Sequence, residues 1–276
     1  MSATVSFPVP TPHGPRTATV SYARVGSGEP LLLLHGIGHH RQAWDPVVDV
    51  LATEREVIAV DLPGFGASPG LPEGLAYDLS TTTAVFRAFC EALELERPHV
   101  AGNSLGGLIA LELGREKLVR SVTALSPAGF WSGAERVWAF GVLSVMRRIS
   151  RRLPVPLVER VARTAVGRVA LTSTIYARPA RRSPEAVVAE TLALANATGF
   201  DDTLRAGTAV RFTDDVPGIP VTVAWGSSDR LLVPRQGVRA KGIIPKARLV
   251  RLPGCGHVPM NDDPALVARV ILDGSR

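Results

Sequence analysis

The sequence predicts an α/β fold: a mostly parallel, twisted sheet with helices on both faces and a helical segment inserted into it. Three observations carry that prediction. Apolar, strand-like runs alternate with helical periodicities from about residue 30 to 130 and again from 218 to 275, as strand–helix–strand units require. The run Pro30-Leu31-Leu32-Leu33-Leu34 is continuously apolar, the pattern of a strand covered on both faces. Between residues 131 and about 215 strand signals vanish, and helical patterns with prolines between them follow one another. The expected division is therefore a core over 1–130 and 216–276 and a helical cap over 131–215.

In chain order, Thr4 to Val9 and Thr17 to Arg24 read as an edge hairpin turning through Pro12-His13-Gly14-Pro15, since Pro and Gly supply turn backbone. Pro30 to Leu34 is the first buried strand, Asp45 to Leu51 has helical spacing, and Glu56 to Val60 is the next strand. Ser80 or Thr81 is placed to cap a helix running through Leu95. Pro98 to Gly102 and Val122 to Ser126 are strands with a helix between them that begins after Ser104. In the cap, Ala134 to Ile149, Leu157 to Val169, Pro184 to Ala197 and Asp201 to Val210 read as helices. Strands at Pro220 to Trp225 and Ala247 to Leu252 and a helix at Pro264 to Leu272 close the chain.

At 276 residues the chain buries enough surface to fold without a disulfide or metal staple. Its 46% hydrophobic and 20% charged residues exclude a disordered chain. Cys90 and Cys255 leave room for one disulfide at most, and no Cys/His spacing suits zinc; neither metal nor cofactor is expected. The opening Met1 to Ser6 lacks the basic and apolar regions of a signal peptide, and no apolar run is long enough to span a bilayer. A cytoplasmic protein without stable membrane insertion, monomeric or dimeric, is the expectation. The net charge of +6 is uneven: Trp131 to Phe212 holds 13 Arg against 6 Asp and Glu. Arg147, Arg148, Arg151, Arg152, Arg181 and Arg182 read as a solvated cap face whose charge also suits an anionic substrate, a carrier protein or an acidic membrane surface. Nucleic acid is not expected, because no recognition module or interleaved aromatics accompany the arginines.

The chemistry gathers on Val100-Ala101-Gly102-Asn103-Ser104-Leu105-Gly106-Gly107, which matches G-x-S-x-G between a strand and a helix. Such a turn holds the serine in strained backbone, needs little bulk two residues either side, and sets the hydroxyl beside a helix N-terminus that favours an oxyanion. A serine hydroxyl is a poor nucleophile until an imidazole accepts its proton and a carboxylate orients that imidazole. Asp229 follows the strand ending at Trp225, and His257 follows the strand ending at Leu252. Both loops open on the same sheet edge as Ser104, where ligands of open α/β sheets bind. Asp262 and Asp263 follow the histidine and read as caps of the last helix, and Asp61 as the organiser of its own turn.

Taken together, His35-Gly36-Ile37-Gly38, Asp61-Leu62-Pro63-Gly64-Phe65-Gly66, Gly102 to Gly107, Gly226-Ser227-Ser228-Asp229 and Gly256-His257 resemble the α/β-hydrolase superfamily, specifically its capped single-domain members. The resemblance implies an α/β-hydrolase fold with Ser104 as nucleophile, His257 as general base and acid, and Asp229 as its orienting partner. It also implies an oxyanion hole made by the backbone N–H groups of Ile37 and Leu105. His35, Gly36, His39, Asn103, Trp131 and Trp138 are the candidate pocket residues, with Phe140, Leu143, Met146 and Phe200 as further cap candidates.

The implied activity is that of a cofactor-independent serine esterase acting on a hydrophobic small molecule through an acyl-enzyme. Gly102-Asn103-Ser104 also resembles the elbow of carbon–carbon bond hydrolases that cleave vinylogous diketones, although His39-His40-Arg41 stands where those carry Gly-Pro-Gly. The same set of residues also suits a pathway thioesterase or cyclase, or a ligand-binding receptor on the same fold.

Overall fold

The computed structural model describes residues 2–276, so of the expected opening Met1 to Ser6 only Met1 lies outside them. Strands β1 (Ser2–Val9) and β2 (Arg16–Val25) form the hairpin, pairing antiparallel. They are followed by β3 (Glu29–Leu34), β4 (Arg55–Val60), β5 (His99–Asn103), β6 (Ser121–Leu125), β7 (Val221–Gly226) and β8 (Arg248–Leu252). The eight strands form one sheet in the order β1-β2-β4-β3-β5-β6-β7-β8. All neighbours from β4 onward are parallel, and β2 meets β4 antiparallel.

The leucine run of β3 shows why this sheet is doubly covered. Side chains alternate across a strand, so Leu32 and Leu34 join one core with Phe86, Phe89 and Leu108. Leu31 and Leu33 join a second core with Trp44, Val47 and Ile271 on the opposite face. Helices α1 (Asp45–Leu51), α2 (Leu79–Ala92), α3 (Leu105–Arg115) and α10 (Pro264–Gly274) supply those partners, with Trp44 just ahead of α1, and α9 (Arg235–Ile243) adds Ala240 to the first core. Each leucine removed wholly from water contributes about 1.5–3 kcal/mol.

Between β6 and β7 lie α4 (Gly133–Arg152), α5 (Val155–Ala162), α6 (Ala165–Thr172), α7 (Pro184–Asn196) and α8 (Phe200–Gly207), without a strand. A reciprocal cap starts α4: Ser132 accepts from the Glu135 amide and the Glu135 carboxylate accepts from the Ser132 amide. The same carboxylate pairs with Arg235 and Arg239 of α9, tying the insertion to the core.

Several local expectations are corrected. The cap of α2 is Asp78, whose carboxylate accepts from the Thr81 amide at 2.7 Å, and the helix stops at Ala92, before Glu94 turns to φ 54°. The expected helix over Leu157 to Val169 is two helices, because the Thr164 hydroxyl accepts from the Gly167 amide and restarts the chain there. Helix α9, which carries only a weak apolar pattern, was not expected at all. Both cysteines are free, so no disulfide forms, and burial pushes each thiol up to about 12. Nor are the six arginines one solvated face. Arg147 is buried, donates to the carbonyls of Leu194 and Ala197, and lies 5.3 Å from the Phe200 ring centroid. Arg182 pairs with Glu190 and Asn261 and stacks 4.6 Å above Tyr176. Arg148, Arg151, Arg152 and Arg181 remain exposed.

Candidate active site

Strand β5 ends at Asn103 and α3 begins at Leu105, so Ser104 alone reverses the chain, at φ 56° and ψ −113°. That conformation costs an L-residue about 1–3 kcal/mol. Hydrogen bonds on both sides impose it: the Ser104 amide donates to Leu125 at 2.9 Å, and its carbonyl accepts from Leu108 and Ala128 at 3.0 Å. The glycines are obligatory for the same reason. A Cβ on Gly102 would overlap the Gly106 carbonyl, and one on Gly106 would overlap the carbonyl of Leu34.

The loop after β3 presses against this turn: a Cβ on Gly36 would stand 3.2 Å from the Ser104 Cβ. Among the described residues, the amides of Ile37 and Leu105 donate to no protein acceptor. Leu105 opens α3, where free N–H groups and the helix dipole favour negative charge. His35 lies beneath the loop, wholly buried. Its Nε2 accepts from the Leu62 amide at 3.0 Å, which leaves Nδ1–H to donate to the Gly36 carbonyl at 2.8 Å. Burial pulls its pKa down to about 4, so it is a neutral structural ring.

After β7, Asp229 is buried with both oxygens engaged: Oδ1 accepts from the amides of Leu231 and Leu232 at 2.9 and 2.8 Å, and Oδ2 from His257 Nδ1 at 2.8 Å. Since the carboxylate accepts from Nδ1, Nε2 of His257 is the basic nitrogen. Among the described residues no hydrogen bond joins that nitrogen to the Ser104 hydroxyl; such bonds commonly tighten only once substrate is bound. Ser104 and His257 line one open cavity of about 670 Å³.

Gly36, Ile37, His39, Asn103 and Trp138 share that wall, with Leu143 and Met146 of α4. His39 Nε2 stands 3.3 Å from the Tyr176 hydroxyl, and burial holds this histidine well below its ordinary pKa. Two of the expected pocket residues are elsewhere. His35 is under the loop, and Trp131, just ahead of α4, is buried edge-on against Phe140 in the core. Phe140 and Phe200 pack in that core too.

The family model described as the alpha/beta hydrolase family matches residues 31–270. The chain belongs to the alpha/beta hydrolase family. An uncharacterised protein of Mycobacterium tuberculosis is 30% identical over 92% of this hydrolase and 76% of its own length. An esterase from Thermogutta terrifontis superposes with a TM-score of 0.77 at 21% identity, covering 98% and 97% of the two chains. A meta-cleavage product hydrolase from Pseudomonas fluorescens does so with a TM-score of 0.74 at 20% identity, covering 93% of each.

The hydrolase also contains positioning groups that sequence reasoning missed. Asn103 Nδ2 donates to the carbonyls of Leu125 and His257 at 3.1 and 2.9 Å, stapling the histidine loop to β6. Ile175 of the insertion accepts from the amides of His257 and Val258 at 2.8 and 3.1 Å. Asp263 caps α10 as expected, but Asp262 does not: its carboxylate accepts from the amides of Ala177, Arg178 and Gly256. Gly256 has room for no Cβ against Ile175 and Ala177, so its lack of a side chain permits this close approach.

Proposed function

We propose that this hydrolase cleaves an ester, or a related acyl bond, of a hydrophobic small molecule. Ser104 Oγ attacks the carbonyl carbon while its proton passes to His257 Nε2, and Asp229 stabilises the imidazolium that results. The oxyanion is held by the amides of Ile37 and Leu105, His257 returns the proton to the leaving group, and water then hydrolyses the acyl-enzyme. The observation that carries this reading is the joint presence, on one cavity, of a strained serine, an aspartate-bound imidazole and the unengaged Ile37 amide, with the unengaged Leu105 amide next to that serine at the start of α3. The apolar wall from α4 supports a hydrophobic acyl or leaving group. A p-nitrophenyl ester series with a fluorophosphonate probe tests it: Ser104→Ala should lower kcat by at least about a thousandfold and abolish labelling. Labelling that survives the substitution would reject Ser104 as nucleophile.

Asn103 beside the serine and the fold likeness to a meta-cleavage product hydrolase favour a second reading, carbon–carbon cleavage of a vinylogous diketone. Loss of a conjugated diketone's visible absorbance, with no turnover of simple esters, would select it.

A further inference from the structure

Among the described residues, most of the exposed large apolar side chains lie on α4, α5 and α6. Val145, Arg148, Ile149 and Arg152 follow one another at i, i+3, i+4 and i+7 and are all exposed, so aliphatic and cationic side chains share one face of α4. On α6, Val166, Val169 and Ala170 share a face, with Val166 80% exposed. Val145 and Ile149 from one side and Ala170 from the other also line the cavity that contains Ser104. The apolar wall of that cavity therefore continues without a break onto the outside of the molecule. From Gly133 to Thr172 there are eight arginines against Glu135 and Glu159, and Glu135 is already held by Arg235 and Arg239.

We propose that this face docks the hydrolase on an anionic lipid bilayer, from which a lipid-borne substrate enters the cavity between α4 and α6. The arginines meet the headgroups, and the valines and Ile149 enter the interfacial region, the arrangement of a basic amphipathic surface at a membrane. Charge complementarity selects an anionic partner. The aliphatic side chains among the arginines select a bilayer over an acidic carrier protein, which would match the cations yet leave the valines of α6 in water. Peripheral docking is consistent with the lack, among the described residues, of any helix long and apolar enough to cross a membrane. Delivery of a substrate rests on the serine-hydrolase reading; docking does not.

The test is cosedimentation of the Ser104→Ala protein with vesicles of phosphatidylcholine, with and without phosphatidylglycerol, at physiological ionic strength. Binding should require phosphatidylglycerol. Replacing Arg148 and Arg152 by Gln should weaken it about twenty-fivefold, roughly fivefold for each charge removed. Val166→Ser with Val169→Ser should weaken it at unchanged net charge, whereas Arg269→Gln on α10 should lose no more than twofold. In a Ser104-containing background the same arginine and valine variants should hydrolyse a short, soluble ester as the parent does, which keeps a failed hydrolase reading separate from failed docking. No binding to anionic vesicles, equal loss with Arg269→Gln, or indifference to the valine substitutions would overturn the proposal. So would saturable binding to an acidic acyl-carrier protein that those vesicles fail to displace.

Discussion

Asn103 illustrates how much of the candidate site depends on one amide. Its Nδ2 faces two carbonyl oxygens, so Asn103→Asp would set a carboxylate against both in a buried place. Leaving one buried polar group unpaired costs about 1–3 kcal/mol and a charged one more. The substitution should therefore lower stability by at least about 3 kcal/mol, read from urea midpoints, while Asn103→Ala should cost less and reduce kcat more than it alters KM. His35 makes a different prediction, set by pH. Its folded pKa, about 4, lies below the ordinary 6.5, so between those values the unfolded chain binds a proton that the folded one excludes. Stability is thus full above about pH 6.5 and falls as the pH drops toward 4, by up to about 3 kcal/mol from this ring. Buried His39 acts in the same direction. Unfolding midpoints that stay level across that window would contradict the assignment of a neutral ring. At this scale the chain order of Ser104, Asp229 and His257 is legible because each follows an apolar run that can only be a strand. The partners of Asn103 and Asp262 are not legible, because their acceptors and donors lie on segments far away in sequence.

Among the elements, the turn from β5 to α3 and the long helix α4 respond oppositely to the same change. Gly106→Ala drives a methyl group into the Leu34 carbonyl, and neither strand nor helix has slack to yield. It should cost more than about 4 kcal/mol, in the range reserved for backbone overlap or core disruption, and leave little soluble protein. Gly141, inside α4, has open space where its Cβ would be, and Gly141→Ala should stabilise by roughly 0.5–1 kcal/mol in thermal unfolding. Periodicity makes α4 and the parallel strands readable, since their burial patterns are long and regular. It fails for α5 and α6, where a single threonine cap divides what looks like one apolar stripe, and for α9, where arginines obscure the pattern. Trp131 and Trp138 differ for a related reason: whether a tryptophan faces the cavity or the core depends on the register at which the chain enters α4, which spacing alone leaves open.

For the molecule as a whole, the segment Ile175 to Arg178 joins the helical insertion to the histidine loop through backbone bonds and the Asp262 carboxylate. Asp262→Ala would strand the amides of Ala177, Arg178 and Gly256 together. It should destabilise by about 3 kcal/mol and speed proteolysis within residues 153–178, with kcat reduced because the His257 backbone loses its support. The alternation of strands and helices makes the sheet architecture legible from composition and periodicity. This junction is hidden from them, because it depends on where two distant loops happen to touch. It also constrains how the cavity can widen. Helices that hang from the same peptide groups as the imidazole cannot be levered outward at that end without drawing the ring away from its carboxylate. A bulky competitive inhibitor should therefore announce itself in the nuclear resonance of the proton shared by residues 257 and 229, long before it perturbs the far rim.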